Sequence, residues 1–150
     1  MGLERFVIAQ DAGETYASAV AELRAGRKTG HWMWFVFPQI AGLGTSAMSR
    51  RYGISSLEEA RRYVDHPVLG ARLERCTRLL LELSHRSAQD IFGSIDAMKL
   101  RSSMTLFARA APESSLFRDV LDRYFDGLPD EATDARLEIP ARVAVEPFRE

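Results

Sequence analysis

The chain has a single cysteine, no apolar run of membrane-spanning length, and almost no excess charge of either sign. Each shortage removes a class of explanation. A lone thiol, Cys76, forms no internal disulfide, and its place in an apolar heptad marks it as a small core residue, so nothing asks for an oxidising compartment. Without about eighteen consecutive apolar residues no helical membrane span is expected. Met1 to Gln10 also lacks the cationic start and apolar stretch of a secretory signal, which makes the cytoplasm the expected location. With 20 basic and 21 acidic side chains and a net charge of -1, no general attraction to nucleic acid or to a membrane surface is implied.

Strand signals and metal-ligand spacings are scarce as well. None of the three histidines pairs with another at helical i, i+4 spacing, and no thiol cluster accompanies them, so neither a metal nor any other cofactor is expected. Only "WMWFVF" and the terminal "RVAVEPF" hint at extended structure. Pro38 ends the first, and neither has a convincing partner strand. The first therefore reads as a short buried helix and the second as a docked or frayed arm over residues 138–150.

Helix signals are plentiful. Asp11 with Glu14, Ser56 with Glu59, and Ser87 with Asp90 have capping-box spacing, and Gly26 stops the first of the helices so begun. Pro67 suits a first helical position, followed by Leu69, Leu73, Cys76, Leu80 and Leu83 at alternating spacings of four and three. Arg72, Arg75, Arg78 and Glu82 occupy the opposite face. After Ser94, a candidate cap, Leu100, Met104, Phe107 and Ala111 form a second stripe; Phe117, Val120, Leu121 and Tyr124 form a third. With 46% hydrophobic and 27% charged residues over 150 positions, the expectation is one all-α domain, a compact bundle of about six to eight mostly short helices.

Two polar constellations interrupt these stripes. In "HWMWFVFPQIAGLGTS", Trp32 or Trp34 can stack on a ring and Gln39 can hydrogen-bond its edge. Gly42 and Gly44 permit close backbone approach, Thr45 or Ser46 can cap a following helix whose free amides would meet a phosphate, and Arg50 lies one turn further on. The glycine pattern formally matches a dinucleotide fingerprint, but no strand-helix alternation surrounds it, and a plain turn with a serine cap explains it as well. His31 is a candidate general acid or base, against the commoner role of bonding a neighbouring carbonyl. In "IDAMKLRSS", Asp96, Lys99 and Ser103 fall along one edge of an apolar stripe, where they form either an acid-base set or a simple ion pair.

"RFVIAQ", "ELRAGRKTGHWMWFVFPQIAGLGTS", "YGISSLEEARRYVDHPVLGARL" and "IFGSIDAMKLRSSMTLFA" together resemble the bacterial family called domain of unknown function 1810 (DUF1810), some members of which carry the label calpastatin. The resemblance spans roughly residues 3 to 126 and implies a compact single-domain helical protein. It implies no established activity, and an inhibitor role belongs to disordered repeats, which this chain lacks. "LLLELSHRSAQDIFG" is also distantly similar to the segment ending in Asp-x-x-Trp-Gly of the NADAR proteins, which cleave N-glycosidic bonds in ADP-ribose derivatives. Here Asp90, Ile91, Phe92 and Gly93 stand in that place without the tryptophan, and His31 stands where a carboxylate is wanted, so no catalytic role transfers.

Two functions are therefore expected to compete. In one, the tryptophan string walls a pocket for a small phosphorylated or nucleotide-derived ligand, with His31, Asp96 and Lys99 as catalytic candidates for N-glycosidic hydrolysis and Ser103 beside them. In the other, the aromatic run is core or interface of a non-enzymatic interaction module, monomeric or homodimeric.

Overall fold

The computed structural model describes residues 2–139. In chain order the helices are α1 (Glu4–Asp11), α2 (Thr15–Ala25), α3 (Met33–Val36), α4 (Ala47–Tyr52), α5 (Leu57–Asp65), α6 (Leu69–Glu82), α7 (Ala88–Ala110), α8 (Leu116–Phe125) and α9 (Glu131–Arg136). A 3₁₀ turn at Ala12–Glu14 joins the first two. The fold is the expected all-α bundle, and "WMWFVF" supplies the expected short buried helix. Among the described residues the extended chain amounts to one isolated parallel bridge, Ile40 to Ile54. Of the arm expected at 138–150, all but Glu138 and Ile139 lies outside the described residues.

Local chemistry explains most of the boundaries. The Ser87 hydroxyl accepts from the Asp90 amide while the Asp90 carboxylate accepts from the Ser87 amide, a complete capping box at the start of α7. At α5, Ser56 accepts from the Glu59 amide, but the Glu59 carboxylate reaches one residue further back, to the Ser55 amide. The expected box at Asp11 and Glu14 does not form. Asp11 is the last residue of α1, Gly13 and Glu14 are left-handed, and α2 starts with no side-chain cap. Likewise α6 begins at Leu69, not at Pro67. His66 organises that start, its Nδ1 accepting from the Val68 and Leu69 amides at 3.1 Å each. Ser94 caps nothing, because α7 runs through it with a kink at Gly93, whose φ of 79° strains any residue with a Cβ.

The stripes bury as their spacing predicts. Leu69, Leu73, Cys76 and Leu80 of α6, Val120 and Leu121 of α8, and Leu100, Met104 and Phe107 of α7 are all buried, and α8 packs against both α6 and α7. Helix α7 packs against α5, α8 and α9 and is the axis of the bundle. Aromatic rings fill the junction with the N-terminal helices. Phe6 meets Tyr63 edge-on at 5.2 Å, and Trp32 and Phe37 both meet Phe92 edge-on. Burial pushes the Cys76 thiol up to about 12, so this thiol is an inert core group.

One loop contact positions the site. Ala41 N–H donates to Ile54 O at 2.7 Å and Ile54 N–H donates to Gln39 O at 2.8 Å, which clips the glycine-rich segment to the chain leaving α4. Gly53 makes this approach feasible, since a Cβ there would stand 2.8 Å from the Ala41 Cα.

Candidate functional site

Beyond the Gly93 kink, α7 presents Ile95, Met98, Lys99 and Ser102 along one face, at the three- and four-residue spacings that bring side chains together on a helix. Opposite stand Trp34 and Gln39, held by α3 and the clipped loop, while α4 contributes Tyr52 and the start of α9 contributes Asp130. Between them lies a cavity of about 360 Å³. Its wall is mostly apolar, with a few polar groups converging on it, the usual composition of small-molecule sites.

The charged part is a chain of contacts linking both tryptophans. Lys99 Nζ lies 4.2 Å from the centre of the Trp34 ring and 3.1 Å from Asp96 Oδ1. Asp96 Oδ2 lies 2.8 Å from Lys28 Nζ, and that ammonium stands 5.0 Å from the centre of the Trp32 ring. Burial alone would raise the Asp96 carboxyl. The hydrogen bonds and positive charge of Lys28 and Lys99 outweigh it and hold the group below its ordinary value, ionised at neutral pH.

The two tryptophans part company here. Trp34 is half-buried and lines the cavity, whereas Trp32 is 1% exposed and its indole N–H donates to Glu22 Oε1 at 2.9 Å. Trp32 is therefore a core residue, which corrects its place among the stacking candidates. Ser103 needs the same correction. It is fully buried in the α7 stripe, its hydroxyl has no hydrogen-bond partner among the described residues, and Ser102 takes its place on the wall.

The remaining candidates divide by position. Gln39, Gly44 and Lys99 line the cavity, and Asp96 supports Lys99 from behind. The Gln39 side-chain amide has no protein partner among the described residues. Gly42, Thr45, Ser46, Arg50 and His31 stand outside the wall. The Ser46 hydroxyl is occupied in capping α4, accepting from the Ser49 amide, and Arg50 folds back to donate to the Thr45 carbonyl. This is the plain serine-capped turn. His31 is exposed and does not line the cavity.

Sequence reasoning missed Lys28, Ser102 and Asp130. Lys28 has no local signal, because its partner is 68 positions away in the chain. Ser102 is legible as the i+3 neighbour of Lys99. Asp130 carries a cap signal, accepting from the Thr133 amide at 3.0 Å, but nothing in that spacing shows that α9 returns to the cavity.

The comparisons with known proteins agree with this architecture. A search of curated proteins finds no match. The crystal structure of the conserved hypothetical protein Rv1873 from Mycobacterium tuberculosis, at 1.38 Å, superimposes with a TM-score of 0.88 at 54% sequence identity, covering 92% of this chain and 97% of that one. The model of a protein family of unknown function matches residues 1–137, nearly the whole described bundle including the cavity, and the chain thus belongs to the DUF1810 family.

Proposed function

We propose that the cavity binds a small planar ligand with an anionic group, of the nucleotide-derived class. The observation that carries this reading is the Lys99 ammonium over the ring of Trp34 inside a cavity of about 360 Å³, a volume within the range of ligand sites. A ligand ring stacking on Trp34 moves Lys99 off the face. The tether to Asp96 keeps the ammonium beside the ring, where it pairs with the ligand's anion. The Gln39 amide is free to hydrogen-bond the ring's edge.

This arrangement favours binding over N-glycosidic hydrolysis. Asp96 does not line the cavity, and its two carboxylate oxygens are taken by Lys28 and Lys99, so it is engaged as their counter-ion and not with a bound ligand. Calorimetric titration with AMP, ADP-ribose and inorganic phosphate tests the reading. Nucleotide binding is expected in the wild type and is expected to weaken at least about tenfold in Trp34→Ala, the loss of a stacking face, and in Lys99→Met, the loss of one charge-assisted hydrogen bond. Absence of nucleotide binding, or binding unchanged in both variants, rejects it.

A second reading rests on Ile95 and Met98, each 71% exposed on the rim. Exposed apolar residues of this size on one helical turn suit a protein contact, including a homodimer. Sedimentation that depends on concentration and is abolished by Met98→Lys would favour that reading.

A further inference from the structure

Resting on the nucleotide reading above, we infer that Asp130 selects a ribosyl ligand by accepting a hydrogen bond from its sugar hydroxyls. Three donors reach this carboxylate, the Ser102 hydroxyl, the Thr133 amide and the Thr133 hydroxyl, and all three fall on Oδ2. Oδ1 has no protein donor among the described residues, although Asp130 lines the cavity. The residue is half-buried, and a partly desolvated carboxylate oxygen without a donor is a strong acceptor for a ligand O–H or N–H.

Position narrows the donor further. Ser102, which donates to Asp130, is three residues after Lys99 on α7, so Asp130 and Lys99 both reach the cavity from the same turn of that helix. A ligand ammonium on Asp130 would share the cavity with the like charge of Lys99. A neutral vicinal diol avoids the repulsion and uses the acceptor, as carboxylates do when they take a ribose hydroxyl in dinucleotide sites. A nucleoside monophosphate supplies the whole set: a ring for Trp34, a diol for Asp130 and a phosphate for Lys99.

The test is calorimetry on the full chain with AMP and 2′-deoxy-AMP, each against wild type and Asp130→Asn. Asparagine caps a helix as well as aspartate does, so the α9 start survives the change. Wild type is expected to bind AMP about tenfold more tightly than deoxy-AMP, one hydrogen bond to a charged acceptor. Asp130→Asn is expected to abolish the discrimination, AMP losing about tenfold more affinity than deoxy-AMP. Thr133→Ala, which removes the hydroxyl donor to Oδ2, keeps the amide donor and leaves Oδ1 untouched, is expected to keep the discrimination even at reduced thermal stability. Equal binding of the two nucleotides by wild type, or equal losses for both in Asp130→Asn, overturns the role of Asp130 and leaves the cavity reading standing. Failure of both nucleotides to bind overturns both readings.

Discussion

Trp32 and Trp34 are two positions apart on one short helix turn, each beneath a lysine ammonium, and both lysines hold the same carboxylate, Asp96. One ring is sealed in the core and the other opens on the cavity. The difference lies in what receives the indole N–H. Glu22 accepts from Trp32 and also from the Thr29 and Gly30 amides, at 2.8 to 2.9 Å. That anchor ties the loop after α2 to the ring and removes the penalty of burying a polar N–H. Trp34 has no such anchor among the described residues. A sealed ring does structural work, and the same ring type half a turn away is left available for recognition.

The largest expected effect separates the two rings directly. Trp32→Ala should cost about 3 to 5 kcal/mol of unfolding free energy, because it removes a fully buried aromatic side chain that contacts Phe37 and Phe92. Trp34→Ala should cost far less and show its effect in ligand binding instead. Chemical denaturation of both variants decides the matter, and similar losses would dissolve the distinction between core and wall.

Next in size is the carboxylate that joins the two halves. Asp96→Asn should destabilise by about 1.5 to 3 kcal/mol, the range for hydrogen bonds to charged groups, since the Lys28 side chain is only 7% exposed and loses its counter-ion. The Lys99 side chain is more open, at 22%, and loses little. The Asp96→Asn loss should therefore persist in a Lys99→Met background and shrink in a Lys28→Met background. The opposite order would place the structural burden on the cavity side.

How much of this was legible in the sequence follows the range of each interaction. The caps at Ser56 and Ser87 involve residues three apart and were readable, as were the α6 and α8 stripes. The box at Asp11 was misread because Gly13 and Glu14 turn left-handed and break the helix there, a backbone choice that side-chain spacing does not report. The site was legible in its parts, Trp34, Gln39 and Lys99, but not in its arrangement. Helix α3 is four residues long, barely one turn, so periodicity carries no phase to say which tryptophan faces inward. Ser102 and Ser103 are adjacent, and only the register of α7 against the other helices decides that the second is core. Asp130 enters through tertiary packing of α9 on α7, with no trace in local pattern.

The smallest expected effect concerns the anchor itself and its dependence on pH. Burial works to raise the Glu22 carboxyl, but hydrogen bonds from the Gly30 and Thr29 amides and the Trp32 indole outweigh it and lower it from the ordinary 4.5. A carboxyl with a depressed folded-state pKa contributes stability that is fully present above the unfolded value. That contribution declines as pH falls below about 4.5 and is gone once pH has passed through the lowered folded value. Glu22→Gln keeps one acceptor oxygen and removes the charge, so at neutral pH it should cost about 1 kcal/mol. At pH values low enough to protonate Glu22 in the folded wild type, the two proteins should converge. Denaturation of both across the acid limb measures this directly. A gap that stays constant with pH would mean that the shape of the side chain, not its charge, seals Trp32, and the contrast between the two rings would then rest on packing alone.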